Sequence, residues 1–169
     1  MKKVLLLVAS IMMVANVAMA DHIGLYTDPT GASCFVGAPI ANGQVHVIHK
    51  FTLGATGSRF QLDLAGAPGS FVFTFITTWS TIGNYVDLSI GYSGCQPAGT
   101  VYLGSFFGNF GAGMLQIIGA GADPAPTYTD CDFAAQNATG GKFYIGTEGN
   151  CGEVATEPST WGQVKALYR

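Results

Sequence analysis

Apolar and polar residues alternate along two stretches of this chain, at 59–64 and at 86–92. Such alternation puts one set of side chains on each face of a strand, so both stretches predict half-buried β-strands. The stretch Phe71–Ile76 is apolar at every position except Thr74, and it predicts a central strand covered on both faces. Further strands are predicted at 23–26, 44–51, 101–107, 114–118, 128–133 and 143–145.

Short segments rich in Gly, Asn and Pro separate these strands and predict turns, because Gly and Asn adopt positive φ and Pro restricts φ. About eight or nine short strands without intervening helices predict an all-β fold, an antiparallel β-sandwich, over residues 21–152. Turns are predicted at 28–31, 42–43, 54–57, 66–69, 83–84, 97–99 and 140–141, and loops at 108–113 and 121–126.

Residues 1–20 have the parts of a secretory signal peptide. Lys2 and Lys3 precede an apolar run, and Ala18 and Ala20 form an A-x-A cleavage site. We expect cleavage after Ala20 and a secreted, periplasmic or cell-surface location. After this segment, no apolar run reaches the ~18 residues that a transmembrane helix needs.

The C-terminal residues 153–169 differ in character from the predicted strands. Residues 154–159 predict a tether, and Thr160 and Gln163 fit a capping box at the start of a short amphipathic helix. A helix this short needs a surface to dock on, which is either the sandwich itself or an export or surface partner. The apolar face that would dock consists of Trp161, Val164, Leu167 and Tyr168.

Composition limits the classes of partner. Charged residues make up 10% of the chain, against ~25% in ordinary soluble domains, and the formal net charge is −3. No basic cluster follows Lys3, so we expect no nucleic-acid partner, because phosphate binding needs clustered Lys and Arg. The 24 glycines fit a sheet protein with frequent turns better than a helical bundle.

The four cysteines form an even set in a chain predicted to be exported, which predicts two disulfides. No pair has the C-x-x-C spacing of a metal site, and no histidine lies nearby at ligand spacing. Sequence alone leaves the connectivity open. Closure of neighbouring cysteines favours Cys131–Cys151, with Cys34–Cys95 as the second bridge.

Other polar residues do not combine into a site. His46 and His49 lie three positions apart on a predicted strand and face opposite sides, so they cannot share a metal. Asp130 and Asp132 would share a strand face beside Cys131, as the solvated rim of a disulfide or as a weak calcium site. We predict no catalytic residue, no metal and no cofactor.

Two segments carry a resemblance to known proteins. They are the expected mature start, DHIGLYTDPTGASC, and the end, STWGQVKALYR, with GYSGC at 91–95 between them. In these motifs the chain resembles small exported bacterial β proteins with a DHIGLYxD-type mature start and a TWGxxKxLYR-type C-terminus. The resemblance implies a bacterial, exported, disulfide-bonded protein, and it transfers no catalytic residue.

These features predict an exported, disulfide-stabilised, non-catalytic binding or structural module with an unknown surface or extracellular partner. An extracellular hydrolase is the alternative, and a Ser–His pair or clustered carboxylates in one cleft would favour it. A small outer-membrane β-barrel is a further alternative. Its strands need ~9–11 residues, whereas most runs here have five to eight.

Overall fold

A computed structural model describes residues 21–151, which form two β-sheets and contain no helix. The predicted all-β sandwich is therefore confirmed, with several short strands beyond the expected eight or nine. The predicted signal peptide and the amphipathic C-terminal segment lie outside the described residues. The strands are β1 His22–Tyr26, β2 Phe35–Val36, β3 Ile40–Phe51, β4 Ala55–Asp63, β5 Phe71–Ile76, β6 Ser80–Asn84, β7 Asp87–Gln96, β8 Gly99–Phe110, β9 Gly113–Ile118, β10 Thr127–Thr129, β11 Ala135–Asn137, β12 Thr139–Gly140 and β13 Lys142–Ile145.

The first sheet has the strand order β12-β1-β3-β8-β5. The second has the order β11-β10-β4-β9-β13-β2. Strand β7 also pairs with β4, along the edge opposite to β9 and β10, and β6 pairs with β7 as the terminal strand on that side. Neighbours are antiparallel except for β1 with β12 and β13 with β2. Strand β4 is central, because β7 borders one of its edges while β9 and β10 share the other.

The core lies between the inner faces of the two sheets, as in other sandwiches. Strand β7 contributes Leu88, Ile90 and Tyr92, and all three are buried as their alternation predicts. Phe60 of β4 meets Phe106 of β8 edge to face across the core, with ring centroids 6.4 Å apart. The alternation at 59–64 thus places the apolar side chains of β4 against the first sheet.

One side of the sandwich, which we call the closed edge, is formed by β1, β12 and Gly141, the residue that follows β12 in the chain. Gly141 donates its N–H to the carbonyl of Ile23 at 2.8 Å and accepts a hydrogen bond from Ile117 at 2.9 Å. Because Ile23 belongs to the first sheet and Ile117 to the second, one residue joins both sheets there. The opposite side, which we call the open edge, is formed by β5 of the first sheet and β6 of the second.

Several expectations about local structure are wrong, including the following three. Residues 42–43 form no turn but a bulge within β3, where Asn42 has a φ of 50°. The glycine-rich segment 108–113 is mostly strand, because β8 continues to Phe110 and β9 begins at Gly113. Val86 does not face the core, since it lies in the two-residue turn between β6 and β7 and is exposed.

The two disulfides are present, but their connectivity differs from the favoured one. The bridges are Cys34–Cys151 and Cys95–Cys131. Strand register decides this pairing: Tyr144 donates to the carbonyl of Cys34, and Lys142 donates to that of Cys151, so both cysteines flank β13. The preference for neighbouring cysteines considered loop length only and ignored how strand pairing brings distant segments together.

Candidate functional site

Strand β5 is the most exposed apolar element of the described chain. The prediction that it is a central strand is wrong, because it is the terminal strand of the first sheet and pairs only with β8. Its side chains at Phe71, Phe73 and Ile76 are 47%, 52% and 47% exposed. A continuous apolar run fits a strand buried on both faces, but here only Val72 and Phe75 pack against the core, Phe75 against Phe106.

The outward side chains of β5 form an aromatic cluster with β8. The rings of Phe71 and Phe73 meet edge to face at 4.8 Å, and Phe73 lies 5.5 Å from Phe107. Phe71 and Phe73 lie two positions apart and share one face of the strand, because alternate side chains of a strand point to the same side. The cluster is thus preorganised by ring contacts while about half of its surface stays in water.

The second strand of the open edge is equally exposed. Every residue of β6 is exposed, and Ile82 is 80% exposed. Only residues 77–79 connect β5 to β6, so both terminal strands lie on the same side of the sandwich. Trp79 fixes this connection, because its Nε1 donates to the carbonyl of Tyr102 at 2.8 Å and its ring packs on Tyr92.

The open edge is also uncharged. No Asp, Glu, Lys, Arg or His occurs between Asp63 and Asp87, a stretch that includes all of β5 and β6. Native edge strands are usually blunted by lysine, proline or covering loops, since unpaired N–H and C=O groups pair with other chains. The long uncharged stretch is the sequence signal that identifies this surface, and the periodicity of side chains does not reveal it.

A shallow groove of about 470 Å³ crosses the outer face of the second sheet. Two directly paired glycines, Gly57 and Gly91, form part of its floor. Gly57 is required by packing, because a Cβ there would lie 2.7 Å from the carbonyl oxygen of Ile90. A Cβ on Gly91 would meet nothing within 4 Å, so the space above it is open.

Charge in the groove is balanced by internal ion pairs. Arg59 binds both oxygens of Asp87, at 2.8 and 2.7 Å, and also contacts Asp123 at 3.1 Å. These hydrogen bonds from Arg59 hold the pKa of Asp87 below its usual range. The guanidinium thus links β4 to β7 and to the loop before β10 through ion pairs. Its charge is neutralised by these two carboxylates rather than available to a ligand in the groove.

A polar network lies inside the core. Tyr92 donates to Ser58 Oγ at 3.1 Å, and His49 Nδ1 lies 2.9 Å from the Tyr92 hydroxyl. The tyrosine oxygen thus accepts from Nδ1–H, and His49 Nε2 is left as a bare lone pair without a partner in the described chain. Desolvation lowers the pKa of His49 to about 3.

This network brings a serine and a histidine together without making a catalytic pair. The hydroxyl of Tyr92 stands between Ser58 and His49, and all three side chains are buried. A nucleophile needs a direct hydrogen bond to its base and access to substrate. The geometry therefore supplies packing and hydrogen-bond satisfaction and gives no support to the hydrolase alternative.

The predicted shared face of Asp130 and Asp132 does not exist, because β10 ends at Thr129 and a turn follows. The Asp130 carboxylate accepts the backbone N–H groups of Asp132 and Ala134 and the side-chain amide of Gln136. These hydrogen bonds, that of Gln136 above all, lower the pKa of Asp130. Its oxygens thus stabilise the turn, and residues 21–151 hold no cluster of three or more metal-ligating side chains.

His46 and His49 face opposite sides of β3 as predicted, with His46 near Tyr102 and His49 in the core. The tail residues Trp161, Val164, Leu167 and Tyr168 fall outside the described part of the chain. Within that part, no helix could span a membrane.

No family model and no curated protein matches this sequence. Among solved structures, the chain is similar to the non-cellulosomal cohesin from the hyperthermophilic archaeon Archaeoglobus fulgidus. The two share 16% identity with a TM-score of 0.36, and the match covers 75% of this chain and 89% of that chain. We therefore infer the function of the chain from its own surfaces.

Proposed function

We propose that this protein is an exported, non-catalytic binding module and that the open edge is its binding surface. The module binds a polypeptide at the cell surface or outside the cell. The observation that carries the proposal is the exposure of Phe71, Phe73 and Ile76 on a terminal strand that has one unpaired edge.

Two physical properties of β5 support a polypeptide as the ligand. The free edge of a terminal strand offers a row of N–H and C=O groups. A polypeptide that binds there as an added strand forms hydrogen bonds with these groups, and its alternate side chains give specificity. Exposed apolar side chains that form a contiguous patch are typical of protein interaction sites. Strand β5 combines both properties, whereas the floor of the groove lies on β4 and β7, which are paired on both sides.

Export of the module is part of the proposal. The signal-peptide pattern of residues 1–20 and the resemblance to exported bacterial β proteins support it. Two disulfides fit an oxidising compartment, because they persist there and are rare in the cytosol. The intact mass of the exported protein tests this point. We expect cleavage after Ala20 and the loss of four hydrogens, whereas an uncleaved chain or free thiols would contradict export.

The C-terminal tail is a second proposed contact. The apolar face formed by Trp161, Val164, Leu167 and Tyr168 would bind an export or surface partner. Deleting residues 160–169 is then expected to reduce retention at the cell surface while the melting temperature changes little. A large fall in melting temperature with unchanged location would instead make the tail a packing element.

Site-specific photocrosslinking in the producing cells tests the binding surface. Phe73 is replaced by p-benzoylphenylalanine, which keeps an aromatic side chain at this half-exposed position. Phe133, which is 80% exposed in the turn before β11, carries the same probe as a matched control. We expect a discrete adduct from position 73 and none from position 133. Absence of an adduct at 73, or identical adducts from both positions, would refute the open edge as the binding surface.

A further inference from the structure

We propose that the partner at the open edge is a second copy of this chain, which pairs its β5 antiparallel with β5 of the first. This inference rests on the proposed function and names the ligand of the same surface. The two copies are then related by a twofold axis beside β5, and the same residues face each other across it.

The backbone of β5 leaves one side free for such pairing. Its ladder joins Phe71–Ile76 only to β8, and no hydrogen bond within residues 21–151 uses the other side of this strand. An antiparallel partner strand places hydrogen bonds across this row without any rearrangement of the sheet. The bulge at Val72–Thr74 confines regular pairing to the residues on either side of it.

The charge distribution favours an identical partner. The whole protein has a formal net charge of −3, so two copies repel each other over most of their surfaces. Residues 64–86 carry no charge, and β5 and β6 lie within this stretch. Approach along the open edge therefore meets the least repulsion, and burying this surface leaves no charged group of either copy without a partner.

The exposed apolar area is close to what a specific dimer needs. If a fully exposed large apolar side chain presents ~200 Å², the exposed fractions of Phe71, Phe73, Ile76 and Ile82 give roughly 450 Å² per copy. Two copies and the polar atoms of β5 and β6 together approach the ~1,200 Å² at the lower end of specific interfaces. A reversible dimer is the expected result, rather than a permanent one.

Sedimentation equilibrium over roughly 1–200 µM of the exported protein tests this inference. We expect the apparent mass to rise with concentration toward twice that of the monomer. The variant F73K/I76K places lysines on the edge and is expected to weaken the dimer at least tenfold. The matched control L53K/F133K changes two apolar residues that are 63% and 80% exposed outside β5 and β6, and should dimerise as the wild type does.

A single Thr74→Lys variant provides a second test if the double variant does not fold. The Thr74 side chain is exposed on the same strand, so its loss removes little packing, and the dimer should still weaken several-fold. Circular dichroism confirms that each variant is folded. A wild-type protein that stays monomeric throughout the range, or a dimer unaffected by both sets of lysines, would overturn the inference.

The adduct from position 73 separates this inference from the proposed function. A crosslinked species of twice the monomer mass that contains only this chain supports the second copy. An adduct with a different protein, together with a monomer in sedimentation, refutes the second copy and leaves the open edge as the binding surface. No adduct at all refutes both.

Discussion

The two edges of this sandwich are protected in very different ways. At the closed edge, Gly141 hydrogen-bonds to both sheets, and Thr139 donates its N–H to the carbonyl of Asp21 at 2.7 Å. On the same side of the second sheet, the Cys34–Cys151 disulfide ties the segment before β2 to the chain after β13. At the open edge, β5 and β6 end the two sheets with exposed side chains, no charge and no covering segment from residues 21–151.

The disulfide and the backbone hydrogen bonds that cover an edge are thus concentrated on the closed side. An unpaired apolar edge promotes aggregation unless it has a partner. The closed edge is protected by a disulfide and backbone hydrogen bonds. Strand β5 carries none of these protections, and it also lacks the lysine that commonly protects an edge strand. We infer that the open edge is kept available for binding, and the following predictions test whether the two edges differ as this account requires.

The largest expected effect is the loss of the disulfide near the closed edge. The variant C34A/C151A removes a bridge that spans 117 residues of sequence, and the entropy model predicts a loss of up to about 5 kcal/mol in unfolding free energy. The bridge Cys95–Cys131 spans 36 residues, so C95A/C131A should lose about 1 kcal/mol less. Urea unfolding under non-reducing conditions measures both, and a reversed order would contradict the assignment.

Two phenylalanines allow a direct comparison of the edges. Phe143 of β13 is fully buried on the closed side, so Phe143→Ala should cost about 3–5 kcal/mol of unfolding free energy. Phe73 of β5 is half exposed, so Phe73→Ala should cost no more than about 1 kcal/mol in the isolated monomer. Equal losses at the two positions in dilute protein would mean that β5 is packed as firmly as the closed side.

Acid should destabilise the closed side through His49, which pairs in register with Ile23 of β1. Burial lowers the pKa of His49 to about 3, with a smaller contribution from His22 in the same direction and an opposing one from Asp21. The unfolded state therefore binds the extra proton first, and stability falls as pH drops below about 6.5. Unfolding free energy should be about 2 kcal/mol lower at pH 5 than at pH 7.5.

The variant H49Q serves as the control for this pH dependence. It removes the titrating ring, so most of the decline between pH 7 and pH 5 should disappear, even though the variant is less stable at neutral pH. An unchanged slope in H49Q would assign the acid sensitivity to other groups.

The smallest effects compare two glycines. A Cβ on Gly141 of the closed edge would lie 2.7 Å from the Cα of Gly24, so Gly141→Ala should cost about 1–3 kcal/mol. Gly91 pairs with Ser80 of the open-edge strand β6 and has open space above it. Gly91→Ala should therefore be neutral or stabilising by up to about 1 kcal/mol, because glycine weakens a strand interior. Thermal melts of both variants measure the difference.

The sequence predicted those elements whose local pattern matches their final environment. Strand β7 was predicted correctly because Leu88 and Ile90 alternate with polar residues, and a strand with one buried face requires such alternation. The fold class followed from the spacing of turns and strands. The use of all four cysteines in disulfides followed from their even number in a chain predicted to be exported.

The remaining features depend on long-range pairing, which local patterns do not encode. A continuous apolar run fits a central strand as well as an exposed edge strand, and Phe71–Ile76 is an edge strand because no other strand of residues 21–151 pairs with its free side. The cysteine connectivity depends on the register of β13, and the bulge at Asn42 replaces a turn because β3 continues through it. The open edge does not follow from side-chain periodicity, because its sequence signal is the absence of charge over residues 64–86.

Hydrogen exchange as a function of protein concentration tests the central claim most directly. The amides of β1, which pairs with both β3 and β12, should exchange slowly at every concentration. Within residues 71–76, the amides that do not bond to β8 should exchange quickly in dilute protein and become protected as the concentration rises and the open edges pair. If exchange at 71–76 is the same at all concentrations, the open edge does not bind a second copy.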